Sequence, residues 1–473
     1  MKAIVFGVGN YYREQKEKLD SFDDIEIVAF ADNNSLLWDK KIDGITVISP
    51  NKIQILEYDK VIIMSIYVCA IYEQLLSMGI VDERIIIWKR FFAELVQKER
   101  KIAYGKLKGN CLNSRILIIS ADLDYNGGTL AAMYAALSLK RKGISVVLAA
   151  PKGNRNLIEE IAGDSVPIVE WISLPYIFQA DTEWIEQFET VIINTFQMME
   201  CAYEISKLRP TIWWIHEPLN MYKPAMMRYL SCRSKEQWTR LSSYAVSIVA
   251  QGNFNGSFDR NRCEKILPVG IPDMAFSANH EKGKDRKMVF AIIGTIHHLK
   301  AQDIFVRAAS ETDEEKAEFW IIGRPLDKEY YQKIQKLAVG ENTVKFLGEL
   351  SREELDRAFG SIDVVVCASH EETLSMTVIE GMMYGKVCIT TEHTGIVEYI
   401  ENGINGFVIP PGDVDALAKK MSWLVENRDK MERLKKAARN TYEKYFTLDI
   451  LGENLKQALN ETTAEWRRTN QET

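Results

Sequence analysis

The chain has 473 residues, 47% hydrophobic and 26% charged, with a formal net charge of −7 at pH 7. That is ordinary for a globular protein of about three domains, and the acidic balance argues against a dedicated nucleic-acid binder. Seven scattered cysteines without a C-x-x-C pair point to free thiols in a reducing compartment, not to a disulfide framework or a zinc site.

The N-terminus, MKAIVFGVGNYYREQ, reads as a strand running into a glycine turn, without the apolar core and cleavage site of a secretory leader. The longest uncharged apolar run, 61–72, is about half of what a membrane-spanning helix needs. A cytoplasmic protein is expected, at most touching the inner face of a membrane.

Residues 1–95 read as a small α/β domain. Strands are expected at 2–6, 25–31, 60–65 and 84–88, with a helix near 70–79, and the alternation implies a parallel sheet. Gly7 and Gly9, with Asp32 about twenty residues further on, suggest a nucleotide pocket. Tyr12 replaces the third glycine of that fingerprint, and a turn that needs glycine only for its geometry is the competing reading. The phrases IVFGVGN, VAFADNN and IDGITVIS resemble Rossmann-like domains appended to bacterial sugar-modifying enzymes. The polar, basic stretch 96–114 reads as a linker.

A second α/β domain spans 115–275. Its first strand, 115–120, leads into a loop with Gly127 and Gly128, then a helix ending near Gly143 and a strand at 144–149. Paired glycines allow close backbone approach to a ligand at a helix start. The D-x-D of Asp122 and Asp124 superficially matches metal-dependent transferases and is set aside, since a chance D-x-D is common. Strands are expected at 191–194 and 211–215, the latter ending in His216-Glu217-Pro218. A histidine at a strand's C-terminal edge suits ligand hydrogen bonding, or a structural bond to a backbone carbonyl. Residues 220–241 mix Lys223, Arg228, Arg233, Lys235 and Arg240 with Met226, Tyr229 and Trp238. That pattern fits contact with an anionic membrane face or a half-buried surface helix. Strands at 247–250 and 266–269 close the domain, and 278–287 is a polar connector.

The third domain spans 285–446. Strands are expected at 289–294, 319–323 and 344–347, with a helix near 303–309. A strand at 362–368 is followed by EETLSMTVIEGMMYGK, then a strand at 387–391. This is one βαβ unit, whose loop faces a crevice and whose first helical amides, near Leu374, Ser375, Met376 and Thr377, suit a diphosphate. Glu372 falls in the loop and Glu380 one turn into the helix. Thr377-x-x-Glu380 also fits a capping box. A strand within 403–411, a helix at 413–426 and a final helix from about 448, in a tail of 447–473, complete the chain. His297, His298, His370 and His393 lack a ligand spacing, so no metal is expected.

Taken together, residues 115–460 resemble family 4 glycosyltransferases of the GT-B fold. The resemblance rests on the Gly127-Gly128 loop, WWIHE, ILPVGIPD, GTIHHLKAQD, FLGEL, the glutamates 372 and 380, and NGFVIPPGDVDALA, in that order. It implies two facing Rossmann-like domains, a nucleotide sugar mainly on the second, and a last helix crossing back to the first. It also implies retention of configuration without a metal or other cofactor. On the resemblance, Lys300 would contact the diphosphate, Glu380 the ribose, Glu372 the donor sugar, and the amides at Leu374, Ser375 and Met376 the phosphate. Gly127 and Gly128 would line the opposite wall, and His216 would lie near the reacting carbon. Relatives usually carry an arginine where this chain has Thr295; Arg324 is a candidate substitute.

The expectation is therefore an α/β protein with a GT-B pair preceded by a third Rossmann-like domain. It would move a sugar from a nucleoside-diphosphate sugar, with UDP the expected carrier, to a glycan or lipid-linked acceptor in bacterial surface polysaccharide assembly. The alternatives are a non-catalytic nucleotide-sugar- or glycan-binding partner, kept open by Thr295, and an oxidoreductase seated in residues 1–95.

Overall fold

The computed structural model describes residues 1–65, 67–96, 101–104, 115–163, 166–171, 174–177, 182–217, 241–250, 265–275, 286–339 and 344–471. Three sheets organise them.

The first contains β1 (Lys2–Phe6), β2 (Glu26–Ala31), β3 (Lys41–Ile42), β4 (Ile45–Ile48), β5 (Lys60–Ile63) and β6 (Ile85–Ile87), in the order β3-β4-β2-β1-β5-β6. The antiparallel hairpin β3–β4 was not expected. Its signal was Asp43-Gly44: both residues take positive φ, 48° and 80°, as a tight hairpin turn requires.

The second sheet contains β7 (Lys101–Tyr104), β8 (Ile116–Ile119), β9 (Val146–Ala150), β10 (Ile168–Glu170), β11 (Thr190–Asn194), β12 (Thr211–Ile215), β13 (Leu241–Ala245) and β14 (Lys265–Ile266). Their order is β14-β13-β12-β11-β8-β9-β10-β7. β7 corrects the reading of 96–114 as a linker: Lys101–Tyr104 pairs antiparallel with β10 at the sheet's edge. The expected strand at 247–250 is also corrected. The strand is Leu241–Ala245, and Ser247 lies beyond it with its hydroxyl donating to the Thr373 carbonyl of the third domain. The basic stretch 220–240, on which membrane contact was read, lies outside the described residues.

The third sheet contains β15 (Met288–Ile293), β16 (Ala317–Ile322), β17 (Val344–Gly348), β18 (Val364–Cys367), β19 (Val387–Thr391) and β20 (Phe407–Ile409), in the order β17-β16-β15-β18-β19-β20, all parallel. Every residue of β8, β11, β12, β18 and β19 is buried. Strands covered by helices on both faces read as unbroken apolar runs, which is why these were visible in the sequence. Helices at Lys328–Leu337, Arg352–Ser361 and Met431–Tyr445 were not anticipated. The second of them starts with a full capping box between Ser351 and Glu354.

The final helix, Leu448–Gln471, leaves the third domain and lies on the second. Leu448, Leu451, Leu455, Ala458, Leu459 and Thr462 are buried at helical spacing. Each buried leucine contributes roughly 1.5–3 kcal/mol. Polar contacts fix the register: Trp466 Nε1 donates to the Ser206 carbonyl at 3.0 Å, and Lys142 pairs with Glu453 at 2.8 Å. Gly452 lets the helix approach Gly127–Arg141 closely, since a Cβ there would lie 3.1 Å from the Ser138 carbonyl.

Candidate active site

Strand β18 delivers the loop that holds Glu372. An isolated bridge to Thr394 fixes the loop, with Glu372 N–H donating to the His393 carbonyl at 3.2 Å. Glu372 Oε1 accepts from Lys300 Nζ at 2.7 Å, and Oε2 accepts from Ser369 Oγ at 3.0 Å and from Cys367 Sγ at 3.2 Å. Desolvation opposes the charge on both partners. The Lys300 charge and its hydrogen bond outweigh that for Glu372, whose pKa lies below the usual range. The same pairing holds Lys300 above its usual range against desolvation. The site thus keeps a carboxylate and an ammonium side by side. Lys300 closes a 3-10 turn after β15, and Ala301, at φ 53°, turns the chain into the helix Gln302–Ser310.

Helix Met376–Met383 begins at the same loop. Its N-cap is Ser375, whose side chain makes no capping bond, so the helix starts with free amides. Thr377 is already inside the helix, which removes the capping-box reading of Glu380. Glu380 is buried and paired with Arg352. Burial pushes its pKa up and Arg352 opposes that shift, the net result lying above the usual range. Arg352 was missed; the S-x-x-E phrase at Ser351 would have located its helix.

The second domain supplies the opposite wall. Asn126 caps the helix Gly127–Arg141, accepting from Thr129 N–H at 2.9 Å. Asp122 Oδ1 accepts from Asn126 Nδ2 at 2.9 Å and from Asp124 N–H at 3.1 Å, so the D-x-D shapes this loop. Asn194 Nδ2 donates to the Gly128 carbonyl at 2.8 Å. A Cβ on Gly128 would lie 3.0 Å from Thr195 Cγ2, and Thr195 itself sits at φ 76°, a strained geometry for a β-branched residue. Gly127 faces the other domain, its Cβ position 3.9 Å from Met376 Cγ. Two helix N-termini therefore oppose each other across one cleft, a setting that favours an anion.

His216 leaves the edge of β12. Its ring packs on Trp214 with centroids 4.5 Å apart, its carbonyl accepts from Thr373 Oγ1 at 2.5 Å, and its buried Nε2 has no partner among the described residues. The structural reading, a ring nitrogen bonded to a backbone carbonyl, is not what the geometry gives. Burial lowers the pKa from 6.5 to about 3, so the imidazole is neutral at physiological pH. A depressed folded pKa means that His216's contribution to stability is complete above pH 6.5 and is lost as pH falls from 6.5 toward 3. We expect His216→Gln to show a flatter decline in denaturant midpoint over that window than the parent. Parallel slopes in the two proteins would rule this out.

The two walls enclose a cavity of about 410 Å³. The structure brings His216, Thr295, Lys300, Glu372, Leu374, Met376, Gly127 and Gly128 to its lining, together with Glu217, Thr195 and Thr373. Ser375, Glu380 and Arg324 do not line it; Arg324 is exposed, so it does not occupy the position left by Thr295. Glu217 was missed as an organiser: its Oε2 accepts from the amides of Phe196 at 2.9 Å and His216 at 3.2 Å. Among the described residues no cluster of three His, Cys, Asp or Glu side chains is placed to hold a metal ion. No helix among them is long and apolar enough to cross a membrane.

Gly7, Gly9 and Asp32 lie apart, in the first domain. Gly7 takes φ 100° with its Cβ position 2.8 Å from the Met64 carbonyl. Asp32 accepts from Val8 N–H at 3.0 Å and Asn34 N–H at 2.8 Å. Tyr12, buried where the fingerprint has glycine, donates to Asp43 at 2.8 Å. The turn's own geometry accounts for Gly7 and Asp32, whereas Gly9, at φ −76° with open space at its Cβ position, is not required by it.

Residues 275–441 match the family model described as Glycosyl transferases group 1, and residues 1–86 match that described as C2185-like, N-terminal. The sulfoquinovosyl transferase of Arabidopsis thaliana is 32% identical over 166 residues, 34% of this chain and 31% of that protein. D-rhamnosyltransferase WbpZ of Pseudomonas aeruginosa is 28% identical over 243 residues, 48% of this chain and 60% of that protein. The O-antigen chain mannosyltransferase C of Escherichia coli is 29% identical over 166 residues, 34% and 43% of the two chains. The chain thus spans between 31% and 60% of these relatives' length. Among solved structures, Anabaena HepE in complex with UDP and glucose superposes with a TM-score of 0.63 at 17% identity, covering 74% of this chain and 100% of that one. The lipopolysaccharide outer core galactosyltransferase WaaB superposes with a TM-score of 0.56 at 15% identity, covering 73% and 99%. The second and third domains therefore form a GT-B fold, preceded by an α/β domain.

Proposed function

We propose that this protein is a retaining glycosyltransferase. It would take a sugar from a nucleoside diphosphate, most plainly UDP, and pass it to a glycan or lipid-linked acceptor of surface polysaccharide assembly, in the cytoplasm and without a metal. The observation that carries this is the Lys300–Glu372 pair set between two opposed helix N-termini in one cleft. Negative charge builds on the departing phosphate oxygen as the glycosidic bond breaks, and preorganised positive groups there lower the barrier. Lys300 would pass from Glu372 to that phosphate, beside the amides that open helix Met376–Met383. Glu372, freed, would accept from hydroxyls of the donor sugar. His216 Nε2, neutral and unpaired, would bind a hydroxyl near the reacting carbon. Glu380, which lies behind the cavity lining and is paired with Arg352, would reach the ribose hydroxyls once that pair opens. The group 1 match over 275–441 and the UDP and glucose held by HepE support the donor side of this reading.

The test is a panel of UDP-, GDP- and dTDP-sugars with purified protein, with and without EDTA. One donor should bind and hydrolyse slowly, with EDTA changing neither. Glu380→Ala should weaken its binding about tenfold or more, the loss of a charge-assisted hydrogen bond. Folded protein that binds no donor would replace this reading with that of a non-catalytic glycan-binding partner.

A further inference from the structure

A second cavity, of about 490 Å³, lies between the first domain and the second. It shares the lining residues Ala121 and Gln197 with the first cavity, so the two adjoin. One wall comes from the helix Trp88–Val96 and the helix Asn10–Asp20, the other from the second domain. Arg90 and Glu200, 2.8 Å apart, tie the two domains together beside it.

The lining is of two kinds. Tyr11, Phe92 and Tyr176 give aromatic surface, with Trp88 packed behind Phe92. Trp88 is buried, and its indole N–H has no acceptor among the described residues. Lys89 and Lys152 line it from opposite domains, and neither has a carboxylate partner among the described residues. Desolvation at the domain junction, then the Lys152 charge, holds Lys89 below its usual range. Lys18 is already engaged, over the Phe92 ring at 4.9 Å, and Glu14 is a carboxylate on this wall. Both lysines are exposed, so solvent screens much of their repulsion, and an anion bound between them removes the rest. The C–H faces of sugar rings pack on aromatic rings, and a carboxylate pairs with an ammonium. The volume falls within the roughly 300–1,000 Å³ of small-molecule sites.

We infer that this interdomain groove is an acceptor subsite for an acidic oligosaccharide, with Lys89 and Lys152 gripping its carboxylates and the aromatic wall its rings. The inference rests on the transferase reading, since the donor occupies the far side of the adjoining cleft. It gives the first domain a role: that domain supplies half of the surface on which the growing glycan lies.

The test uses the full chain and calorimetric titration with tetragalacturonate, against maltotetraose as the neutral chain of equal length. Tetragalacturonate should bind, and maltotetraose should bind about tenfold more weakly. Lys89→Ala/Lys152→Ala, with unchanged melting, should weaken tetragalacturonate by about tenfold or more. Phe92→Leu, which keeps an apolar side chain, should weaken both saccharides. No binding of tetragalacturonate, equal binding of maltotetraose, indifference to the double substitution, or full displacement by inorganic phosphate would each overturn the inference. Titrations of the same sample with UDP, GDP and dTDP read the donor side alone. UDP bound with tetragalacturonate ignored removes only this inference; tetragalacturonate bound with UDP, GDP and dTDP all ignored removes the transferase reading and with it the acceptor role of the groove.

Discussion

Lys300→Ala is expected to lower kcat by about 10²–10³, the size of effect seen when one preorganised donor to a developing anion is removed. KM for the donor should change less, because the helix amides remain to bind the diphosphate. The same substitution strands Glu372. That carboxylate keeps its bonds from Ser369 and Cys367 but loses the cation that offsets its desolvation. Its pKa should rise, and stability should fall by about 1–3 kcal/mol, moderated because the pair is only half-buried. Lys300→Ala/Glu372→Gln should recover much of that stability and none of the turnover. The two readouts separate catalysis from folding. Turnover within about threefold of the parent in folded Lys300→Ala would remove Lys300 from the chemistry.

Gly395→Ala should be nearly as damaging, by another route. A Cβ at this position would lie 1.8 Å from the Thr373 carbonyl oxygen and 2.3 Å from Ser247 Oγ. Those two atoms already bond each other across the domain boundary. Thr373 also donates to the His216 carbonyl, and Ile248 N–H donates to Glu398 Oε1 at 2.8 Å. Backbone and a short side chain have no room to yield, so relief comes by parting the two domains. Gly395 N–H also donates to the Glu372 carbonyl at 2.9 Å, which carries any displacement into the charged pair. We expect kcat/KM to fall about 10–100-fold, as a displacement of about 1 Å at the reacting groups would give. One buried apolar cluster holds residues of both domains, Val246 and Ala250 with Leu374 and Ile396, so melting should fall as well. Steady-state kinetics beside a thermal scan check this, and kinetics matching the parent would show that the cleft need not close here.

What was legible in the sequence follows from burial. The strands of the GT-B pair could be placed because helices cover both sheet faces and leave unbroken apolar runs such as VVVC and TIWWI. The positions of Glu372 in a loop and Glu380 in a helix could be read because one βαβ unit fixes both. The partners of those glutamates could not. Lys300 lies 72 positions from Glu372 and Arg352 lies 28 from Glu380, and no local periodicity joins them. Thr195 gave no signal, because its φ of 76° is imposed by what surrounds it. β7 was misread because a polar, basic segment looks like a linker until an edge strand takes it up. Arg324 followed β16 in sequence, as a substitute for the missing arginine would, yet it does not reach the cavity lining.

The final helix also sets a timetable. During synthesis β8 to β14 leave the ribosome long before residues 448–466, which cover the helix Gly127–Arg141 and part of that sheet. At about 5–20 residues per second the gap between β12 and the helix that caps it is on the order of tens of seconds. Throughout that interval the surface later sealed by Leu455 and Leu459 stays open to other nascent chains. The second domain is then early to begin folding and last to finish. A chain cut short before residue 448 would carry an intact third domain beside a second domain that is apolar on one side and prone to aggregate.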